Sequence, residues 1–221
     1  MSERASFILG RALPLGVFGF LLAIQAELAY SGVEQAVAGQ LGRAEAMYLL
    51  NRVLTVVFFA FLLGIYVVRS KAIAHDHNPL AIAVALIGSF ILYGIFLIPG
   101  QARSTEVWVL ALSDIGLACG MVLALYSLSY LRNRFSIVPE ARGLVTTGPY
   151  QFVRHPIYLG EIIAGFGLVT PTLFSLHALV LVVFIAAQLT RTYYEERMLR
   201  RVYPTYEGYA RRTRRLIPFL V

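Results

Sequence analysis

Cysteine occurs once in 221 residues, at Cys119 inside an apolar run. A lone cysteine forms no internal disulfide and no cysteine metal cluster. Charge is scarce as well: 14% of the residues are Asp, Glu, Lys or Arg, against 58% hydrophobic, and the mean hydropathy is +0.71. That balance is far from a soluble domain's and makes lipid the main solvent. Internal repeats, low-complexity linkers and a second, soluble domain are missing, so the chain reads as one integrated membrane domain. Acidic residues number 12 against 19 basic ones, a net charge of +7. The basic residues flank apolar runs, where anionic headgroups account for them at about 1 kcal/mol each, and nucleic acid is not expected as a partner.

What is present is apolar length. Four runs reach the roughly 20 helical residues needed to cross a hydrocarbon layer, at about Phe7 to Tyr30, Tyr48 to Val68, Pro79 to Ile98 and Val107 to Leu131. A fifth, Ile157 to Gln188, is too long for one ordinary span and carries Thr170-Pro171-Thr172 near its middle. Proline there ends one helix and opens the next, so this run is expected to be a helical hairpin. Its first arm, Ile157 to Val169, is short for a crossing, which suggests a turn inside the bilayer against protein. The expected fold is all-α and integral to the membrane: about four spans over residues 1–131, then a hairpin and amphipathic tail over 132–221.

Basic residues collect at Arg69 to Lys71, at Arg132 to Arg154 and in the tail from Arg191 to Arg215, while the connections Ser31 to Ala46 and Gln101 to Glu106 are nearly balanced. The positive-inside bias then puts the N-terminus, all three basic segments and the C-terminus on the cytoplasmic side. Arg4 and Arg11 before the first run resemble a signal peptide's start, but the run is long and lacks a small-residue cleavage site, so retention is expected.

Three segments would meet at that face. Gly143-Leu144-Val145-Thr146-Thr147-Gly148-Pro149-Tyr150 has turn formers at both ends and could bring backbone amides near a ligand. In Arg154-His155-Pro156, proline at a helix start sets its neighbours at the positive, amide-rich end, which suits a carboxylate, and His155 titrates near neutral pH. An interfacial anchor is the competing role, with Arg154 on headgroups and Tyr150 and Tyr158 in an aromatic belt. On the last helix Arg191 and Glu195 are four apart and share a face at the membrane boundary, where ionisable groups are costly and more often functional. Tyr206 and Tyr209 follow in an aromatic, basic segment expected to close the site as a lid, through ring packing or by covering an adenine.

Gly148-Pro149-Tyr150, Arg154-His155-Pro156, Tyr158, Gly160, Arg191, Glu195-Glu196, Leu199, Tyr206, Tyr209 and Leu216-Ile217-Pro218 together resemble the isoprenylcysteine carboxyl methyltransferase family, relatives of the membrane phospholipid methyltransferases. The likeness runs from about Ser136 to Phe219 and keeps the order and spacing of two separated motifs. It implies an all-helical membrane enzyme that binds S-adenosylmethionine in a cytoplasm-facing pocket and takes a lipophilic or lipidated acceptor from the bilayer, with no metal. By position, its cofactor contacts fall on Leu144, Val145, Tyr150, His155, Pro156, Tyr158 and Glu195, and its acceptor-orienting arginine on Arg191. The chain departs from the family in having Arg142 where His is frequent and Tyr203-Pro204 where Phe-Gly is frequent.

Under that resemblance, Arg191 and Glu195 are the candidate catalytic residues. A carboxylate acceptor attacks directly once a guanidinium such as Arg191 holds it, whereas an amine acceptor needs a base, for which His155 or Glu196 would serve. Arg191 tilts the expectation toward the carboxylate. Two rivals stand beside this reading. A nicotinamide-dependent sterol-reductase-like enzyme shares the C-terminal pattern but usually has Asn where this chain has Ile157. A transporter would be suggested by Glu27, Asp114 and Glu161 within spans, though only one helix pair is interrupted.

Overall fold

The computed structural model describes residues 8–68, 72–76, 78–98 and 103–217. Arg4, Phe7, the basic segment Arg69 to Lys71, Gln101 and Pro218-Phe219 lie outside the described residues. A π-helical turn, Ile8–Ala12, leads into α1 (Leu13–Val37), and α2 (Arg43–Val67) returns beside it. The first helix runs past Tyr30 because Glu34 and Gln35 continue it. It stops at Gly39, whose φ of 70° supplies the left-handed residue of a closing turn in which Gln40 N–H donates to Gln35 O at 3.0 Å. The connection expected over Ser31 to Ala46 is therefore only residues 38–42.

The third apolar run is α3 (Pro79–Phe90), capped by the Asn78 side chain on Leu80 N–H, and continued by a 3₁₀ segment, Ile91–Leu97. Rise per residue of the two forms gives about 32 Å in all. α4 (Val107–Leu131) is the central span. The hairpin follows as α5 (Pro156–Val169), a 3₁₀ turn at Thr170–Thr172, and α6 (Leu176–Val202), whose start is capped by Ser175. Among the described residues, Leu13–Val37, Glu45–Val67, Val107–Arg134 and Leu176–Val202 are long and apolar enough to cross a membrane. Leu112, Ile115, Val122 and Tyr126 form an exposed apolar stripe along α4, as a lipid-facing surface requires.

α4 and α5 pack backbone to backbone. A Cβ on Gly120 would strike the backbone of Gly160 and Ala164, and one on Gly167 would strike Ser113 and Leu117. Small residues at three- and four-residue spacing are how helices approach closely in lipid, where no hydrophobic force brings them together. Ser113 Oγ donates to Gly167 O at 2.6 Å across this seam. The seam runs antiparallel for most of α4, and Ser104 N–H, just before α4, donates to Pro171 O at 2.8 Å. The hairpin turn thus lies level with the start of α4 rather than part-way down the bundle, a correction to the expectation from the first arm's length. The 3₁₀ turn and the exposed Leu173 and Phe174 supply the missing depth.

At the other end, two short antiparallel strands, β1 (Ala74–His75) and β2 (Glu140–Ala141), join the connection after α2 to the connector between α4 and α5. Tyr66, fully buried on α2, accepts from Ile137 N–H at 3.0 Å and ties the same connector down. These contacts put the α2–α3 connection, the 132–155 connector and the chain after α6 on one face of the bundle.

Candidate active site

Beyond α6 the chain forms one short helix, α7 (Tyr206–Ala210), and then lies against the start of α5. Arg154 N–H donates to Arg214 O (2.7 Å) and His155 N–H to Arg215 O (3.0 Å), while Val153 and Arg214 form a parallel bridge. The two amides just before this helix end are therefore taken by the tail's own carbonyls.

Glu196 locks the arrangement. Fully buried on α6, it accepts from Arg154 Nε at 2.8 Å and from Arg215 Nε at 3.2 Å, lies 3.3 Å from His155 Nε2, and has Arg200 at 3.5 Å. Arg154 also donates to the carbonyls of Ala210 and Thr213. A carboxylate so surrounded is a structural anion, ill-suited to take a proton from an acceptor.

Next to it, Glu195 is free to act. Its side chain is 26% exposed, Tyr158 Oη donates to its Oε1, and His155 Nδ1 stands 3.8 Å from its Oε2. The His155 and Tyr158 rings stack at 5.5 Å, which holds both against the carboxylate. Arg191 lies behind Tyr158, its guanidinium carbon 4.6 Å from the ring centre. It is 3% exposed and donates to Gln188 Oε1 (3.0 Å) and Ile137 O (3.2 Å), so Tyr158 is the bridge between Arg191 and Glu195. Gly88 on α3 makes room for this guanidinium, since a Cβ there would fall 2.8 Å from Arg191 Cδ.

These groups border an open cleft, about 840 Å³ when the space at its mouth is included. Leu144, Val145, Tyr150, His155, Tyr158 and Glu195, six of the residues singled out from sequence, line it, and Tyr206 and Tyr209 lie on it as the expected lid. Two of the residues singled out do not line it: Pro156 is buried at the first position of α5, and Arg191 is buried behind the Tyr158 ring. Tyr209 Oη donates to Tyr150 O at 2.6 Å, tying the lid to the connector.

Several donors here await a partner. Tyr150 Oη, Tyr206 Oη and Arg142 Nε are buried with no hydrogen-bond partner among the described residues, and all three residues line the cleft. Burial, with Glu195 nearby, pushes the Tyr150 hydroxyl well above its ordinary pKa, and burial pushes that of Tyr209 up to about 12, so both remain protonated donors at neutral pH. A carboxylate facing unpaired donors across a partly apolar floor fits a polar cofactor carrying both an amino group and a carboxylate. Arg142, where the family often has His, pairs with Glu140 at 2.7 Å through Nη2 and keeps its buried Nε without a partner among the described residues.

A second cavity of about 1290 Å³, open to the outside, occupies the bundle interior between α1, α2, α3, one face of α4 and the hairpin. Phe18, Phe59, Leu62, Leu92, Met121 and Phe184 make it largely apolar. Phe135 lines both cavities, Tyr158 lines the first and Ile137 the second, and Arg191, which lines neither, packs on Tyr158 and donates to Ile137 O, so these residues lie between the two. Nothing in the sequence located this cavity; Gly88 and Gly120, small residues in apolar runs, were the available signal.

Comparison with known proteins bears on the family and the fold. Residues 107–206 match the family model described as phospholipid methyltransferase, a match that takes in α4 as well as the hairpin. The nickel-cobalt-cadmium resistance protein NccN of Alcaligenes xylosoxydans xylosoxydans is 30% identical over 132 residues, 57% of this chain and 59% of that protein. The cobalt-zinc-cadmium resistance protein CzcN of Cupriavidus metallidurans is 31% identical over 127 residues, 55% of this chain and 56% of that protein. The chain thus spans little more than half the length of these relatives. In fold it is similar to the eukaryotic intramembrane Ras methyltransferase, isoprenylcysteine carboxyl methyltransferase, with a TM-score of 0.53 and 20% identity over 98% of this chain and 86% of that one. The resemblance drawn from the two separated motifs is borne out.

Proposed function

We propose that this chain, a membrane methyltransferase by family match and fold, uses S-adenosylmethionine to methylate a lipophilic acceptor drawn from the bilayer. One observation carries the reading: residues from the connector before the hairpin and from the helix after it converge on one cleft, where Glu195 faces unpaired tyrosine and arginine donors. Bound there, the cofactor supplies a methyl already activated by its positive sulfur, which leaves the protein the tasks of in-line positioning and exclusion of water.

The chain's residues divide those tasks. Glu195 accepts hydrogen bonds from the cofactor's amino group, and Tyr158 and His155 hold that carboxylate in place. Tyr150, Tyr206 and Arg142 donate to the carboxylate and ribose end, and Leu144 and Val145 give the apolar floor. Pro156 starts α5 so that His155 and Tyr158 face the cleft. Arg191, buried between Tyr158 and Ile137, keeps positive charge close to both cavities and positions the acceptor's reacting group. The apolar cavity receives the acceptor's lipophilic body. In this reading, residues 1–131 shape the acceptor chamber, residues 132–221 carry the cofactor site, and both termini and the cleft lie on the cytoplasmic side.

Purified protein in lipid nanodiscs, titrated with S-adenosylmethionine and separately with reduced nicotinamide cofactor, tests the assignment. S-adenosylmethionine alone is expected to bind. Glu195→Gln removes a charged hydrogen bond worth about 1.5–3 kcal/mol and should weaken that binding by about 10- to 100-fold while the protein stays folded. Arg191→Lys keeps the charge but loses the planar two-point fork, so turnover should fall with cofactor affinity retained. Binding of the nicotinamide cofactor instead, or unaltered affinity in Glu195→Gln, would overturn the site.

A further inference from the structure

Glu161 has no part in the cofactor cleft, yet it is the one carboxylate among the described residues lining the apolar cavity. It sits one helical turn beyond Tyr158 on α5, so the two share a face, with Tyr158 lining the cofactor cleft and Glu161 the apolar cavity. Gln188 Nε2 donates to its Oε2, and Gln188 Oε1 accepts from Arg191 at 3.0 Å. A polar line thus runs from the cavity, through Glu161 and Gln188, to Arg191. The other carboxylate oxygen has no hydrogen-bond partner among the described residues, and the half-buried side chain has its open part toward the cavity.

A carboxyl group in the apolar interior of a membrane protein is expensive and is retained where it does something. Holding Gln188 in place would need only a neutral acceptor such as another amide. We infer that Glu161 is the acceptor-side proton acceptor, and that the acceptor therefore carries a protic nucleophile, an amine or a hydroxyl, on its lipophilic body. This rests on the reading of the two cavities as cofactor and acceptor sites. A carboxylate acceptor would bring a second anion against Glu161 in a low-dielectric chamber where Arg191 is already shared with Gln188 and Ile137, and where the cavity's other cations are engaged elsewhere, Arg52 with Leu28 O at 3.1 Å and Arg103 over the Tyr48 ring at 4.3 Å.

The balance is simple. The acceptor's heteroatom forms a bond to the methyl carbon with its lone pair, the methyl–sulfur bond breaks and leaves its electrons on sulfur as a neutral thioether, and the acceptor's N–H or O–H proton passes to Glu161. No oxidant, reductant or metal is required. For an amine, the same carboxylate steadies the cation formed before the proton leaves.

The test uses the full-length protein in nanodiscs with methyl-labelled S-adenosylmethionine and three probes: a long-chain primary amine, a long-chain alkylphenol and an S-prenyl-N-acylcysteine. Label is expected in the amine or the phenol. Glu161→Gln keeps a partner for Gln188 and should lower kcat about 100-fold, the low end of general-base contributions, with cofactor Kd unchanged. Glu161→Asp should restore part of the rate, and the fall in kcat at low pH expected of the unmodified protein should be absent from Glu161→Gln. Label confined to the S-prenyl-N-acylcysteine, no label in any probe while cofactor binds, or a Glu161→Gln rate within about threefold of the unmodified protein would overturn the inference. Failure to bind S-adenosylmethionine at all would instead remove the methyl-transfer reading on which it stands.

Discussion

The two ends of the chain solve the membrane problem differently. α1 buries only Pro14, Phe18 and Ala29 of its 25 residues, and its neighbourhood is held by tilted aromatic contacts such as Phe18 with Phe59 and Phe90. α4, of the same length, buries ten residues, packs its glycines on the backbone of α5, and supports a connector tied down by ion pairs. Loose apolar contact leaves room, and the large cavity lies on that side. Close backbone packing and paired charges fix positions, and the cleft proposed for the cofactor lies there. A reaction between a cofactor that must be held accurately and an acceptor that must enter from lipid needs one region of each kind.

The comparison breaks most easily at Glu196. Replacing it by Ala strands Arg154 and Arg215 without their anion and frees the chain after α7 from the start of α5. Losing one partner of a buried ion network costs about 3–5 kcal/mol. Thermal unfolding in detergent should show that loss, and S-adenosylmethionine binding should vanish with it, because Tyr206 and Tyr209 no longer have a fixed seat over the cleft. A variant that melts and binds as the unmodified protein does would mean that this region is held by its apolar contacts, like the N-terminal pair.

Much of this was legible beforehand because membranes leave few options. Run lengths gave the spans, Thr170-Pro171-Thr172 gave the hairpin turn, and Pro156 gave the start of α5. The cleft's lining was legible through Leu144, Val145, Tyr150, His155, Tyr158 and Glu195, since two separated motifs had to meet if the hairpin formed. Other features depend on contacts distant in sequence. Arg191 and Glu195 are four apart, which predicts a direct pair, but Tyr158 from another helix comes between them. The tail's capture of the Arg154 and His155 amides spans some sixty residues. The α4–α5 seam was written in Gly116, Gly120, Gly160 and Gly167, yet glycine spacing within an apolar run does not say which helix is its partner.

That seam supplies the gentler test, through two glycines in otherwise similar surroundings. Gly120→Val puts branched carbons where the backbones of Gly160 and Ala164 already touch. α4 and α5 must separate, at a cost of about 1–3 kcal/mol for overpacking, and α5 carries His155 and Tyr158 away from Glu195 as it moves. Gly19→Val on α1 adds the same carbons where nothing lies within 4 Å. It should leave stability within about 0.5 kcal/mol, or raise it slightly because valine stiffens the unfolded chain. Unfolding temperatures and cofactor affinities of the pair, measured side by side, should separate them on both counts. Equal losses would show that α1 is packed as closely as α4, and the division between a fixed cofactor side and a roomy acceptor side would no longer hold.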